Sequence, residues 1–250
     1  MPSILRIISL AILACLAGMP AAADLQESLK AAVTSSLRSD ADRARDANRK
    51  PIETLSFFGL EEDMRVLELL PGGGWYTKLL APTLEAKGKL YVAIGTPGIE
   101  KMIESGALSG VEVVQVNSEP YVRAQGARRG EFPGLTIPVK NIDLALTFRN
   151  LHNFTRAGRR SINQGVFKAL KRGGRYGVVD HTRRHMQSDS LENWRRVDPV
   201  AMIREIEDVG FKFVKYSSLH YRYDDELRYE VGRRSVSGNT DRFTLLFEKP

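Results

Sequence analysis

Val66-Leu67-Glu68-Leu69-Leu70-Pro71-Gly72-Gly73-Gly74-Trp75-Tyr76-Thr77 decides the reading of this chain. Met64 to Leu70 is a short apolar run, suited to a strand buried on both faces. Three glycines follow. Tyr76, Leu79, Leu80 and Leu84 then recur at helical spacing, although Pro82 removes a backbone donor there and should bend the helix. Strand, glycine turn and helix in that order form a ligand cradle at the carboxyl end of the first strand. The glycines let backbone approach a ligand, and the amides opening the helix face it.

The pattern extends outward from this unit. Lys89 to Ile94, Val111 to Val116, Ile142 to Phe148 and Tyr176 to Asp180 read as further strands, with a helix at Ser161 to Leu170. Arg172-Gly173-Gly174 turns the chain into the fifth strand. Asp198-Pro199 starts another helix, with an N-cap acid and proline at the first helical position. Met202, Ile203, Ile206 and Val209 give its apolar face, and Gly210 is placed to stop it. Phe211 to Leu219 and Phe243 to Phe247 make two last strands in a hairpin-like pair. The alternation predicts an α/β fold: a doubly wound, mainly parallel, seven-stranded sheet. Upstream, Leu25, Leu29, Val33 and Leu37 form a helical stripe, and a second helix is expected over Asp40 to Ala47, ended by Pro51. Two long connections, 117–141 and 220–242, exceed a minimal domain and serve either as lids or as surface decoration.

The N-terminus reads as an export signal over residues 1–23. Arg6 gives one positive charge, Ile7 to Gly18 is apolar except for Ser9, and Ala21 and Ala23 are the small residues a signal peptidase reads. The apolar run is too short to span a bilayer, which takes ~20 residues. The expected organisation is a signal peptide at 1–23, a helical extension at 24–60 and an α/β domain at 61–250, with a periplasmic location. Cys15 is the only cysteine and lies in the leader, so disulfides play no part in the mature chain. The net charge of +7 falls by one when Arg6 leaves with it. Arginine pairs at 128–129, 159–160, 183–184, 195–196 and 233–234 are scattered, which reads as solvated surface. Nucleic acid is therefore not an expected partner, while a membrane surface stays open.

The sequence resembles class I S-adenosylmethionine-dependent methyltransferases. Glu68 matches their strand-closing acid, Gly72 and Gly74 match the later glycines of their first motif, and Leu70 stands at its first glycine. More specifically it is similar to an exported bacterial branch of them, through Asp42-Arg43-Ala44-Arg45-Asp46-Ala47, Pro51 to Gly59, Phe148-Arg149-Asn150-Leu151-His152-Asn153, Val179-Asp180-His181 and Thr240-Asp241-Arg242-Phe243. The resemblance implies a Rossmann-like methyltransferase fold and S-adenosylmethionine as cofactor. The cofactor would be held by Glu68, Pro71, Gly72, Gly73, Gly74 and Tyr76. Ile94 falls where the family has an acid for the ribose hydroxyls, with Gly95 as the match if the alignment moves by one. Asn150, His152, Asp180 and His181 would line the side of a small or lipid-like acceptor, with a histidine as base if the acceptor must lose a proton.

The alternative is a non-catalytic envelope binding protein that keeps the fold, favoured by Ile94 and by export. A short-chain dehydrogenase is set aside, because none of the eight tyrosines has lysine four residues later. His181 and His185 have a metal-compatible spacing, but Arg183 and Arg184 between them oppose a cation, so no metal is expected.

Overall fold

A computed structural model describes residues 20–250, with side chains from residue 25 onward. Apart from residues 20–23, the expected signal peptide lies outside the described residues.

The sheet has seven strands: β1 (Arg65–Leu69), β2 (Lys89–Ala93), β3 (Val111–Val114), β4 (Ile142–Phe148), β5 (Leu170–His181), β6 (Lys212–Ser217) and β7 (Arg242–Glu248). Their order is β3-β2-β1-β4-β5-β7-β6. β1 pairs in parallel with both β2 and β4, and β7 alone runs antiparallel, against β5 and β6. The chain thus winds outward from β1 to β3 and returns to start β4 beside β1. This reversal opens a crevice at the carboxyl ends of β1 and β4, where open α/β sheets bind ligands.

Two apolar cores cover the two faces of the sheet. One packs α7 (Arg156–Ala169) and α8 (Pro199–Glu207) through Ile162, Val166, Met202 and Ile206. The other packs α1 (Pro20–Thr34), α4 (Pro51–Phe57), α5 (Thr77–Leu84) and α6 (Pro97–Glu104) through Leu29, Leu55, Leu79 and Ile99. Leu25 and Leu29 are buried there, and Val33 and Leu37 pack on the margin, as their spacing predicts.

Several expected elements differ. The segment Asp40 to Ala47 is not one helix but two short ones, α2 (Asp40–Arg43) and α3 (Asp46–Arg49). Ser39 caps α2 through a capping box, which fixes its start. Pro51 does not end a helix: it begins α4, because the first helical position needs no amide hydrogen, and Lys50 at φ 41° makes the corner. Helix α7 starts at Arg156 rather than near Ser161. Thr155 caps it by accepting from the Gly158 amide, while the arginines of the first turn hide the start in the sequence. Helix α6 had no sequence forecast. Asp198 caps α8 as expected, accepting from the Val200 and Ala201 amides.

Candidate functional site

Three strands end in the same uncommon way. Leu70, Ile94 and Arg149 follow β1, β2 and β4 directly, and all have left-handed backbones, at φ 54°, 65° and 63°. Non-glycine residues held there carry strain, which tends to collect where a ligand edge is built. Leu70 occupies the place of the first motif glycine, so the chain keeps the turn's conformation without its usual residue.

The glycine turn follows Leu70. Gly72 has φ 57°, and a Cβ added at Gly72 or Gly73 would meet nothing within 4 Å. Gly74, at φ 75°, is different: its Cβ would sit 2.8 Å from Ile99 Cδ1. The first two glycines thus border open space, and the third lets α6 pack. Beside them Glu68 is buried, its Oε2 accepting from Thr77 Oγ1 at 2.6 Å. Burial pushes its carboxyl up to about 7, against the Thr77 hydrogen bond. Glu68, Pro71, Gly72, Gly73 and Tyr76 share one cavity of about 310 Å³.

The wall of this cavity comes from the N-terminal segment. Trp75 Nε1 donates to the Asp42 carbonyl at 3.0 Å, and Lys78 pairs with the Asp42 carboxylate at 2.8 Å. Arg49 lies over the Trp75 ring at 4.4 Å. Its carbonyl accepts from Thr54 Oγ1 and Tyr76 Oη, and it lies 3.0 Å from His220 Nε2. His220 is held neutral, because burial and then Arg242 lower its pKa to about 3. A neutral ring with Nδ1 facing the Thr244 hydroxyl can therefore donate through Nε2. Tyr76 stacks on Phe148, with ring centroids 3.5 Å apart.

A second cavity, of about 370 Å³, adjoins the first through Arg45, Arg49 and Arg149 and is lined by His152 and His181. Asp180 is fully buried. It accepts from the His152 amide at 3.0 Å and the His181 amide at 2.8 Å, and its Oδ1 lies 2.6 Å from His152 Nδ1. A carboxylate only accepts, so Nδ1 carries the proton and Nε2 is the ring's basic atom when neutral. His181 Nδ1 meets Thr240 Oγ1 at 2.9 Å. Burial, then the neighbouring His152, lowers its pKa well below the usual histidine value.

The expected acceptor residues therefore converge, in different positions. His152 and His181 line the second cavity, Asp180 lies behind His152, and Asn150 lines the first cavity. Its amide donates to the Leu69 and Leu70 carbonyls at 3.4 and 3.1 Å, pinning the end of β1. Ile94 is buried in the core, whereas the exposed Gly95 has room for a Cβ, its nearest neighbour being Leu70 Cδ2 at 3.9 Å. His185 Nδ1 is 2.9 Å from the Asp198 carboxylate at the α8 cap. Of the two long connections, 220–242 walls the second cavity through Val231, Gly232, Ser237, Gly238 and Thr240, while 117–141 does not reach it. Sequence reasoning missed Arg49, Trp75 and Arg242 as site residues.

Known structures share this architecture across most of their length. A SAM-dependent methyltransferase from Aquifex aeolicus superposes with a TM-score of 0.58 at 17% identity, covering 90% of this chain and 98% of that one. This is the Rossmann-like methyltransferase fold. The N-methyltransferase NodS from Bradyrhizobium japonicum, solved with S-adenosyl-L-homocysteine, gives 0.54 at 14% identity over 91% and 99% of the two chains. The [4+2]-cyclase SpnF gives 0.55 at 16% identity over 91% and 93%, so the methyltransferase fold also carries other chemistry. No family model matches the sequence, and no curated protein matches it.

Proposed function

We propose that the chain is an S-adenosylmethionine-dependent methyltransferase acting on a small or lipid-like acceptor. One observation carries the reading: a buried acid and an open glycine turn share the strand-end edge with a carboxylate-oriented histidine. When bound, S-adenosylmethionine supplies an electrophilic methyl group on a sulfonium. Gly72 and Gly73 leave room for it against the backbone, and Glu68 offers a carboxylate to its ammonium group. A cation beside Glu68 would favour the ionised form that burial resists. Asp180 fixes the His152 ring, so that His152 Nε2 would hold the proton of an acceptor that must lose one. Orientation of this kind contributes roughly 7–11 kcal/mol in favourable cases.

A second reading, a binding protein without catalysis, is supported by Ile94. Its side chain is in the core, and the end of β2 offers no carboxylate before Glu100, whose Oε1 accepts from Thr96 Oγ1. Calorimetry with S-adenosylmethionine and S-adenosylhomocysteine separates the two. Binding that Gly72→Val abolishes supports the enzyme, and failure of both ligands supports the alternative.

The expected leader, with its apolar run and Ala21-Ala22-Ala23, supports membership of the exported bacterial branch and a periplasmic location. Expression in a Gram-negative host should yield a chain beginning at Asp24 by mass spectrometry. A chain retaining Met1 counts against export by cleavage.

A further inference from the structure

The cavity beside His152 gathers arginines that no carboxylate pairs with among the described residues, Asp180 and Asp241 acting on Arg149 and Arg242 only at longer range. Arg49 and Arg242 are only 6% and 5% exposed, and Arg149 is half-buried. Among the described residues none of the three forms an ion pair, nor does Arg45 at the rim. Arg242 reaches only backbone carbonyls, those of Thr240 at 3.2 Å and Asn48 at 2.8 Å. The guanidinium groups of Arg49 and Arg149 make no hydrogen bond among the described residues, and Arg49 has only the faces of Trp75 and Tyr76. Burial lowers the pKa of Arg242 to about 10, with Arg149 as the next cause. The Arg149 pKa is lowered by burial and then by Arg45.

Unpaired buried cations are costly to keep, and folds rarely keep them without use. The proposed cofactor does not supply the missing charge. Its sulfonium and ammonium outweigh its single carboxylate, so it adds a net cation to a crevice that already has an excess. The compensating anion must arrive with the other ligand. Arginine suits that task, since its planar fork matches carboxylate and phosphate oxygens two at a time.

We infer that the acceptor bears an oxyanion, carboxylate or phosphate, which seats among Arg49, Arg149 and Arg242 and leaves its methyl-receiving atom toward His152. The methyl-receiving role rests on the methyltransferase reading, but the oxyanion seat does not. The loop 220–242 closes the far side of this seat through Gly232 and Gly238, and two ion pairs hold it: Arg196 with Asp225, and Arg195 with Glu230.

The test measures binding of inorganic phosphate and of succinate to the purified chain by calorimetry, against sodium chloride of equal ionic strength. Binding of at least one above the salt control is expected. Arg149→Met should weaken it at least tenfold, and Arg45→Met, at an exposed residue whose loss the fold tolerates, about threefold. Arg128→Gln, in a different hollow, should leave it unchanged. Absence of binding by both probes overturns the inference, as does binding that Arg149→Met and Arg45→Met leave intact. Vesicles of phosphatidylglycerol, compared with phosphatidylcholine, show whether the oxyanion belongs to a lipid headgroup. Vesicle binding that survives Arg149→Met without phosphate affinity is a surface effect and also overturns it. S-adenosylhomocysteine is titrated in parallel. Its failure alongside retained oxyanion binding removes the methyltransferase reading and leaves the seat standing.

Discussion

The hollow beside His152 and the larger one beneath Trp194 are both lined with arginine, in different electrical states. The larger, of about 590 Å³, contains Arg129, Arg156, Arg159, Arg183 and Arg196. Each meets a carboxylate: Arg129 and Arg183 share Asp189, Arg156 and Arg159 share Glu205, and Arg196 grips Asp225 with two bonds of 2.9 Å. Among the described residues only Arg128 of this hollow lacks one, and it rests over the Trp194 ring at 5.0 Å. In the hollow beside His152, Arg195 meets Glu230, but Arg45, Arg49, Arg149 and Arg242 meet no carboxylate among the described residues. Neither the size of a cavity nor its number of arginines marks a binding site here; the missing counter-charge does.

The sharpest way to break this contrast is to remove one arginine from each hollow. Arg196→Met strands the buried Asp225 and should cost about 3–5 kcal/mol in urea unfolding. Arg149→Met removes a cation that has no partner, and stability should hold within ~1 kcal/mol or rise. Equal losses would mean that both hollows are structural.

Glu68 offers a second test of stored electrostatic cost. Its folded pKa of about 7 lies above the model-peptide value of 4.5. The folded state therefore binds the proton more tightly, and the contribution is fully present below pH 4.5. It is lost as pH rises through about 7, and the difference amounts to about 3 kcal/mol. Glu68→Gln should remove that slope from the unfolding free energy measured between pH 4.5 and 8. Affinity for S-adenosylhomocysteine, whose ammonium favours the ionised acid, should rise up to about tenfold per pH unit below pH 7. In the Gln variant it should be flat. A natural protein with no slope in either measurement would place Glu68 in contact with solvent or an unseen partner.

The glycine turn separates ligand space from packing at smaller cost. Gly74→Val must displace Ile99 and should lose about 1–3 kcal/mol. Gly72→Val meets no atom and should lose only the strain of its backbone, about 1–2 kcal/mol, while abolishing S-adenosylhomocysteine binding. If Gly72→Val binds normally, the ligand lies elsewhere.

The smallest expected effect concerns the ribose end. Because Ile94 is core and Gly95 faces open space, Gly95→Asp should tighten S-adenosylmethionine about tenfold, or ~1.4 kcal/mol, while the left-handed backbone of residue 95, at φ 65°, costs folding about 1–2 kcal/mol. Ile94→Asp should instead lower the unfolding midpoint. The reverse pattern in calorimetry would return the ribose position to residue 94.

What could be read in the sequence follows how local each signal is. The strands along the chain, the turn at Gly72-Gly73-Gly74 and the Asp198 cap lie within a few residues of their causes. So do His152 and Asp180-His181, each marked by the strand it closes. The arginine seat could not be read this way. Arg49, Arg149 and Arg242 come from distant segments and look like the arginines of any charged surface, which is how the arginine pairs were taken. That reading fails outright for Arg196, which is fully buried. A partial signal existed, since Arg149 and Arg242 lie inside the stretches Phe148–Asn153 and Thr240–Phe243 that the sequence already singles out. Nothing in those stretches says that their charge goes unanswered. The corner at Lys50 was equally hidden, because proline both ends and begins helices and only the local geometry decides which.

The pinning of Arg49 has a kinetic consequence. His220 Nε2 meets the Arg49 carbonyl across 171 residues of chain, and Arg242 reaches Asn48 across 194. Such long closures carry the largest entropy cost and form late in folding. The first cavity draws its lining from residues 42–150, but the second cannot close until Arg242 at the start of the last strand and the N-terminal segment have met. A chain paused before His220 is made would therefore carry the lining of the first cavity but neither the Thr240 and Arg242 of the second nor the β7 residues Leu245 and Phe247 that complete the core.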